Sequence, residues 1–185
     1  VAARLTRLHR CVGGCSSPNI LGDATLVEVL MIRRATQADI PAMVELVYEL
    51  ALYEKAPEQC HLTEQQLREA LFSPAPALFG HVAEVDGAVV GLSLWFLNFS
   101  TWEGVHGIYL EDLYVRPGHR GRGLGKELLQ TLARACVERG YARLEWSVLN
   151  WNEPAINFYK AVGAIPMDEW TAYRLTGDAL RTFST

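Results

Sequence analysis

Arg120-Gly121-Arg122-Gly123-Leu124-Gly125-Lys126 is the stretch whose reading decides the fold. Upstream, Ile108 to Val115 has the composition of a strand. Downstream, Leu124, Leu128, Leu132, Ala135 and Cys136 share one face of a helix running to about Arg139, and Gly140 is placed to end it. A glycine-rich turn between a strand and a helix leaves first-turn N–H groups unpaired and directs the positive helix end at one point, which makes an anion site. A nucleotide P-loop would need glycine at 120 and a hydroxyl at 127, where this chain has Arg120 and Glu127. A dinucleotide fingerprint would need glycine at 126 or 128, where it has Lys126 and Leu128. Taken alone, the loop suits a tight turn as well as a phosphate, so its surroundings must decide.

Working outward, Met31 to Arg34 reads as a short strand leading to Thr36, and Asp39 three residues on completes an acidic capping box. Ile40, Met43, Val44, Val47, Leu50 and Ala51 then follow helical spacing. Thr63 with Gln66 opens a second, shorter helix that ends before Pro74-Ala75-Pro76. Leu78 to Val85, Asp86-Gly87 and Ala88 to Leu97 form an antiparallel hairpin expected in the middle of a sheet. Asn98 to Gly107 reads as a polar, aromatic-containing loop, and the following strand carries two acids, Glu111 and Asp112, where a buried strand prefers apolar residues. Arg143 to Val148 is expected as a strand, Glu153 to Ala161 as a helix and Ala172 to Leu175 as a final strand. The order is mixed α and β, without a repeat.

The 185 residues suit one domain, and 50% hydrophobic content supplies a core, which excludes disorder along the whole length. Apolar runs such as Ala88 to Leu97 fall short of the roughly 20 residues that cross a bilayer, so no membrane partner is expected. The net charge is −4, which gives no broad basic surface for nucleic acid. Four cysteines, at 11, 15, 60 and 136, lack zinc-ribbon spacing and point to a reducing, cytoplasmic setting. His9, Cys11 and Cys15 with Cys60 or His61 have no spacing that fixes a tetrahedral set, so no metal is expected. Residues 1–30 are expected to be an extension outside the core, either Arg-rich targeting sequence or residues upstream of a start at Met31, with one domain over 31–185.

The loop and its flanks resemble the GNAT N-acetyltransferases. Arg120-Gly121-Arg122-Gly123-Leu124-Gly125 is similar to that family's acetyl-CoA pyrophosphate motif. Tyr109 to Val115 before it and Trp151-Asn152-Glu153-Pro154-Ala155-Ile156-Asn157-Phe158-Tyr159-Lys160 after it resemble the diamine (spermidine/spermine) and thialysine acetyltransferase branch, as does Glu49 to Glu54. The resemblance covers about residues 31–175. It implies an α/β fold with a seven-stranded mixed sheet, splayed between strands 108–115 and 143–148 so that the pantetheine arm of acetyl-CoA lies in the gap. Leu113, Tyr114 and Val115 would hold the pantetheine, and Gly121, Arg122, Gly123, Leu124, Gly125 and Lys126, with Arg120, would hold the pyrophosphate. Asn152, Glu153, Pro154 and Ala155 would lie beside the cosubstrate, although Asn152 as an N-cap with Pro154 in the first turn explains them equally well. A homodimer is implied by the resemblance alone.

Direct transfer to an amine requires a group to take a proton, because an alkylamine has a pKa of about 10.4. Glu111 is the expected base, acting through water, and Tyr159 matches the family position that protonates the departing thiolate. Tyr53, Glu54, Trp102 and Glu111 match positions that contact the amine, and acids with aromatics suit a cation. Polyamine-acetylating members carry an acid two residues before the matching Trp, whereas this chain has Ser100-Thr101-Trp102, similar to the thialysine subgroup. A small amine or amino-acid side chain is therefore the expected acceptor. Asp168 and Glu169 form a further acidic pair near Trp170. The competing readings are a protein or peptide acetyltransferase, needing an open groove, and a CoA-binding regulatory module, which would need neither Glu111 nor Tyr159. A hydrolase is opposed by Gly91-Leu92-Ser93-Leu94-Trp95, which lacks the second glycine of a nucleophile elbow.

Overall fold

The computed structural model describes residues 29–185. Expectations about the earlier stretch, including His9, Cys11 and Cys15, lie outside the described residues. Strand β1 (Leu30–Arg34) leads through a 3-10 turn (Gln37–Asp39) into α1 (Ile40–Tyr53). The capping box forms as expected: Asp39 accepts from the Thr36 backbone N–H at 2.7 Å and from the Arg33 guanidinium at 2.7 and 2.8 Å. Helix α2 (Glu64–Phe72) begins on Thr63, whose hydroxyl accepts from Gln66 N–H at 3.2 Å. The hairpin follows as β2 (Phe79–Val85) and β3 (Ala88–Ser100), turning on Asp86 and Gly87, which both have positive φ.

Strand β4 (Val105–Val115), α3 (Leu124–Arg139), β5 (Leu144–Trp146), α4 (Glu153–Ala161) and α5 (Gly177–Phe183) complete the described elements. The strands lie in spatial order β1-β2-β3-β4-β5, antiparallel except for the parallel β4–β5 pair. Helices α1 and α2 cover one face through Ile40, Met43, Leu46 and Leu67 against Val82, Leu92, Leu94 and Tyr114. Helix α3 covers the other, with Leu124 and Leu128 on Ala83 and Val85, and Leu132 on Trp95, Ile108 and Leu110. Gly140, at φ 65°, ends α3.

Three expectations are corrected. The sheet has five strands among the described residues, not seven. Ala172 to Leu175 is not a strand: no neighbouring strand among the described residues accepts its backbone bonds, and Tyr173 is 94% exposed. Asn98 to Gly107 is not one loop, because Asn98, Phe99 and Ser100 pair with Gly107, His106 and Val105, leaving only Thr101–Gly104 as the turn. The alternation of polar and aromatic residues there is cross-strand patterning, with the Phe99 and His106 rings 5.1 Å apart.

The strand expected over 143–148 pairs only over Leu144–Trp146. Its ladder with β4 runs from Ile108↔Leu144 to Leu110↔Trp146 and stops. At that point the register of β4 against β3 also shifts. Trp95 pairs with Leu110 and Leu94 with Asp112, so Glu111 is the extra residue of a bulge. The sheet therefore opens between β4 and β5 where the two acids occur. At the closed end Gly107 is required: a Cβ there would stand 2.5 Å from Asn98 Oδ1 and 3.0 Å from the Arg143 carbonyl oxygen.

Candidate active site

The opening lets groups from opposite faces of the sheet meet. Tyr53 and Glu54 arrive from the C-terminus of α1, and Asn152 and Tyr159 arrive on α4. The Tyr53 hydroxyl donates to Asn152 Oδ1 at 2.9 Å, a bond spanning the two layers. Asn152 is also the N-cap of α4, its Oδ1 accepting from Ala155 N–H at 3.4 Å, and Pro154 stands in the first turn. Helix start and interlayer bond thus account for Asn152 and Pro154 without a ligand. The ring of Trp151 lies 5.9 Å from that of Tyr53, and Lys55 Nζ lies 4.8 Å from the centre of the Trp151 ring. Lys55 itself has φ 62°, a left-handed backbone that costs a non-glycine residue energy.

The acids at the opening act on one another. Asp112 is pushed up to about 6, first by burial and then by the charges of Glu111 and Glu54. Glu54 is raised because protein crowds its carboxyl on one side. Glu111 is exposed, as the unpaired residue of a bulge is free to be. Tyr159 packs its ring 4.9 Å from Trp146, and its hydroxyl has no hydrogen-bond partner among the described residues. Burial, followed by the charge of Glu54, raises its phenol to about 12, so it is protonated at neutral pH. A protonated phenol, an ionisable carboxyl near neutrality and two further carboxylates thus gather at one opening.

Beyond Leu110 the edge of β4 that faced β5 has no strand against it among the described residues, along Leu113, Tyr114 and Val115. The glycine loop follows. Gly121 and Gly123 have φ 76° and 84°, and Gly123 as N-cap offers α3 no side-chain hydrogen bond, unlike Thr63 or Asn152 at the helices they begin. Gly125 has ordinary helical backbone, and a Cβ there would meet nothing within 4 Å. Neither backbone strain nor internal packing explains this glycine, which would cost about 1 kcal/mol relative to alanine in a helix. Open space in front of an uncapped helix start is what a phosphate group needs.

Arg120 has partners within the protein. Its Nε donates to the Val115 carbonyl at 2.8 Å, and its guanidinium stands 5.0 and 5.4 Å from the centres of the Tyr53 and Tyr114 rings. It ties the loop to β4 and α1, while Arg122 and Lys126 line a cleft of about 650 Å³ against β1. Trp102 also stands apart. It occupies the β3–β4 turn at 91% exposure and packs against none of Tyr53, Glu54 or Glu111. From Val105 to Glu111 alone is about 20 Å of strand. Asp168 and Glu169 lie in the exposed stretch between α4 and α5. Asp112, Lys55 and Trp151 were not assigned from sequence. A strand acid signalled the first, but nothing local signalled Lys55.

Comparison with known proteins agrees with this geometry. The profile of the acetyltransferase (GNAT) family matches residues 43–164. A thialysine N-epsilon-acetyltransferase of Bos taurus is 37% identical, over 82% of this chain and 95% of that one. An L-ornithine N5-acetyltransferase of Arabidopsis thaliana is 31% identical, over 81% and 86%. Among solved structures, a Vibrio cholerae integron cassette protein superposes with a TM-score of 0.71 at 26% identity, covering 84% of this chain and 97% of its own. An aminoglycoside N-acetyltransferase in complex with CoA gives 0.66 at 18% identity, over 82% and 97%.

Proposed function

Because this chain belongs to the GNAT acetyltransferase family, we propose that it transfers the acetyl group of acetyl-CoA to the side-chain amine of a small cationic amino acid or a related diamine. The observation that carries this reading is the opening between β4 and β5, where Tyr159, Glu54, Glu111 and Asp112 meet beside an uncapped helix start. Bound acetyl-CoA would supply the activated thioester. The backbone of Leu113, Tyr114 and Val115 would hold its pantetheine arm, and the N–H groups from Gly121 to Lys126 its pyrophosphate, with charge from Arg122 and Lys126. Arg120 fixes the loop to β4 and α1, and Asn152 to Ala155 border the cosubstrate.

The acceptor arrives as an ammonium, drawn to Glu54, Glu111 and Asp112, and must lose a proton before it can attack. Glu111, exposed on the bulge, takes that proton through an intervening water. Asp112, at about 6, is a stronger base than an ordinary carboxylate by about two pH units and is mostly ionised at pH 7. Tyr159 would stand beside the departing sulfur. From a phenol near 12 to a thiolate near 8.5, complete proton transfer runs uphill by about 5 kcal/mol. Tyr159 therefore works best as a hydrogen-bond donor that stabilises the developing thiolate.

Thialysine and ornithine also carry an α-carboxylate. Lys55, directly after Glu54 and held over Trp151, offers it a cation at the mouth of the same opening. The reading needs no metal. Free Cys60 and Cys136 fit a cytoplasmic setting, and residues 31–185 are read as one catalytic domain. Exposed Ile165, Met167, Trp170 and Tyr173 support a homodimer joined through the stretch after α4. The test is thiol release from acetyl-CoA, with mass detection of product, across thialysine, ornithine, lysine, spermidine, short diamines and a basic peptide. Acetylation of the amino acids is expected. Turnover of the peptide alone would replace the small acceptor with a peptide, and CoA binding without turnover of any amine would favour a regulatory module.

A further inference from the structure

On the α3 face of the sheet, away from the opening, His81 on β2 is 8% exposed in a strand whose neighbours are apolar. Its Nδ1 accepts from Trp95 Nε1 at 3.2 Å, so in the neutral ring the proton sits on Nε2. That N–H has no acceptor among the described residues. His81 lines a cleft of about 310 Å³ between the sheet and the second half of α3, together with Arg34, Thr131, Arg134, Glu138 and Arg139. The Thr131 hydroxyl is already spent on the Glu127 carbonyl. Arg134 is paired with Glu127 at 2.8 Å. Arg34 and Arg139 have no carboxylate partner among the described residues; Arg139 stands 6.0 Å from the centre of the Tyr141 ring. Glu138 alone of the cleft's lining is acidic, against three guanidiniums.

We propose that this cleft binds a small oxyanion, a phosphate or carboxylate group, held by Arg34 and Arg139 with the Nε2–H of His81 at its floor. The His81 N–H, accessible from the cleft, gives a directed donor and the guanidiniums give charge and paired donors, the combination that recognises such anions. Burial and the nearby charges of Arg34 and Arg139 hold His81 down to about 4, so the ring is a neutral donor at pH 7 and carries no charge of its own to the site. The cleft is distinct from the glycine loop. Along α3, Arg134 and Arg139 lie about 16 and 24 Å beyond Gly123 at 1.5 Å per residue.

The test uses the whole chain saturated with CoA, so that the loop cannot take the probe, and follows the His81 ring by NMR of ¹⁵N-histidine-labelled protein. Inorganic phosphate and citrate are titrated separately. Saturable shifts of the His81 Nε2 and ring signals are expected at millimolar probe, with a His81 pKa above its value in the free protein. Arg34→Gln with Arg139→Gln, both exposed and safe for folding, is expected to weaken binding at least tenfold while leaving the Trp95–His81 bond. Tighter phosphate identifies a phosphate ligand, and tighter citrate a carboxylate. Shifts that rise linearly to about 50 mM of both probes, or that the double variant leaves unchanged, would overturn the site.

Discussion

Burial keeps Tyr159 protonated and brings Asp112 close to its point of ionisation, and the two effects are separable by experiment. Tyr159→Phe removes the donor but keeps the ring on Trp146, so kcat is expected to fall by about 100-fold with the KM for acetyl-CoA little changed. A loss under twofold would withdraw the role. For Asp112, the proposed role as a base requires the carboxylate, so kcat/KM should rise as pH climbs through about 6, and Asp112→Asn should abolish that limb. The sign for stability is opposite. A carboxyl raised in the folded state binds its proton more tightly there than in the unfolded chain, so folding stability falls between about pH 4 and 6. Asp112→Asn is therefore expected to unfold at an equal or higher denaturant midpoint at pH 7. Asp39 is the converse: paired with Arg33 and lowered to about 2, it stabilises above pH 4 and loses that contribution as pH falls toward 2. Asp39→Asn should cost about 2 kcal/mol at pH 7, read by urea unfolding, and far less at pH 2.

Helix α3 and the ends of β4 each contain glycines whose reasons differ. Gly125 has free space before it, so Gly125→Val should leave the fold intact while placing a side chain where a pyrophosphate would lie. The expected outcome is an unchanged melting temperature within a few degrees and at least tenfold weaker acetyl-CoA binding by calorimetry. Equal affinity would refute the proposed cradle. Gly107 lies where β5 enters the sheet, and Gly107→Ala drives a methyl into Asn98 and the Arg143 carbonyl, which should cost about 2 kcal/mol in urea unfolding. The one substitution tests a ligand site and the other tests packing.

At the scale of the molecule, the stretch from Val162 to Leu175 carries Ile165, Met167, Trp170 and Tyr173 into solvent, and β5 is a three-residue edge. A chain that leaves these groups uncovered is expected to sediment as a dimer at micromolar concentration. Trp170→Glu with Tyr173→Glu should shift it toward monomer; a monomeric parent would remove the dimer from our reading. Trp102, isolated in its turn, could meet an acceptor only if the site drew on surfaces beyond its own hairpin.

Periodicity and caps are local properties, so both helix starts on Thr36 and Thr63, the Asp86-Gly87 hairpin, the glycine loop and the full bounds of α4 were legible in the sequence. The family motif also identified Tyr159, Glu54 and Glu111 as residues to watch. Pairing is not local. Whether Phe99 and Ser100 extend a strand, or Ala172 to Leu175 form one, depends on a partner strand that the segment itself does not contain. The same holds for charge: Asp112 is an ordinary acid in the sequence, and only its burial between layers, with Glu54 arriving from α1, moves its proton affinity. Arg120 anchors the loop on the faces of two tyrosines from distant segments, and Lys55 joined the opening through Trp151. The sequence determined which elements form and which chemistry they can carry; tertiary structure decided which side chains share a space, because dielectric, pairing and reach are set by neighbours far away along the chain.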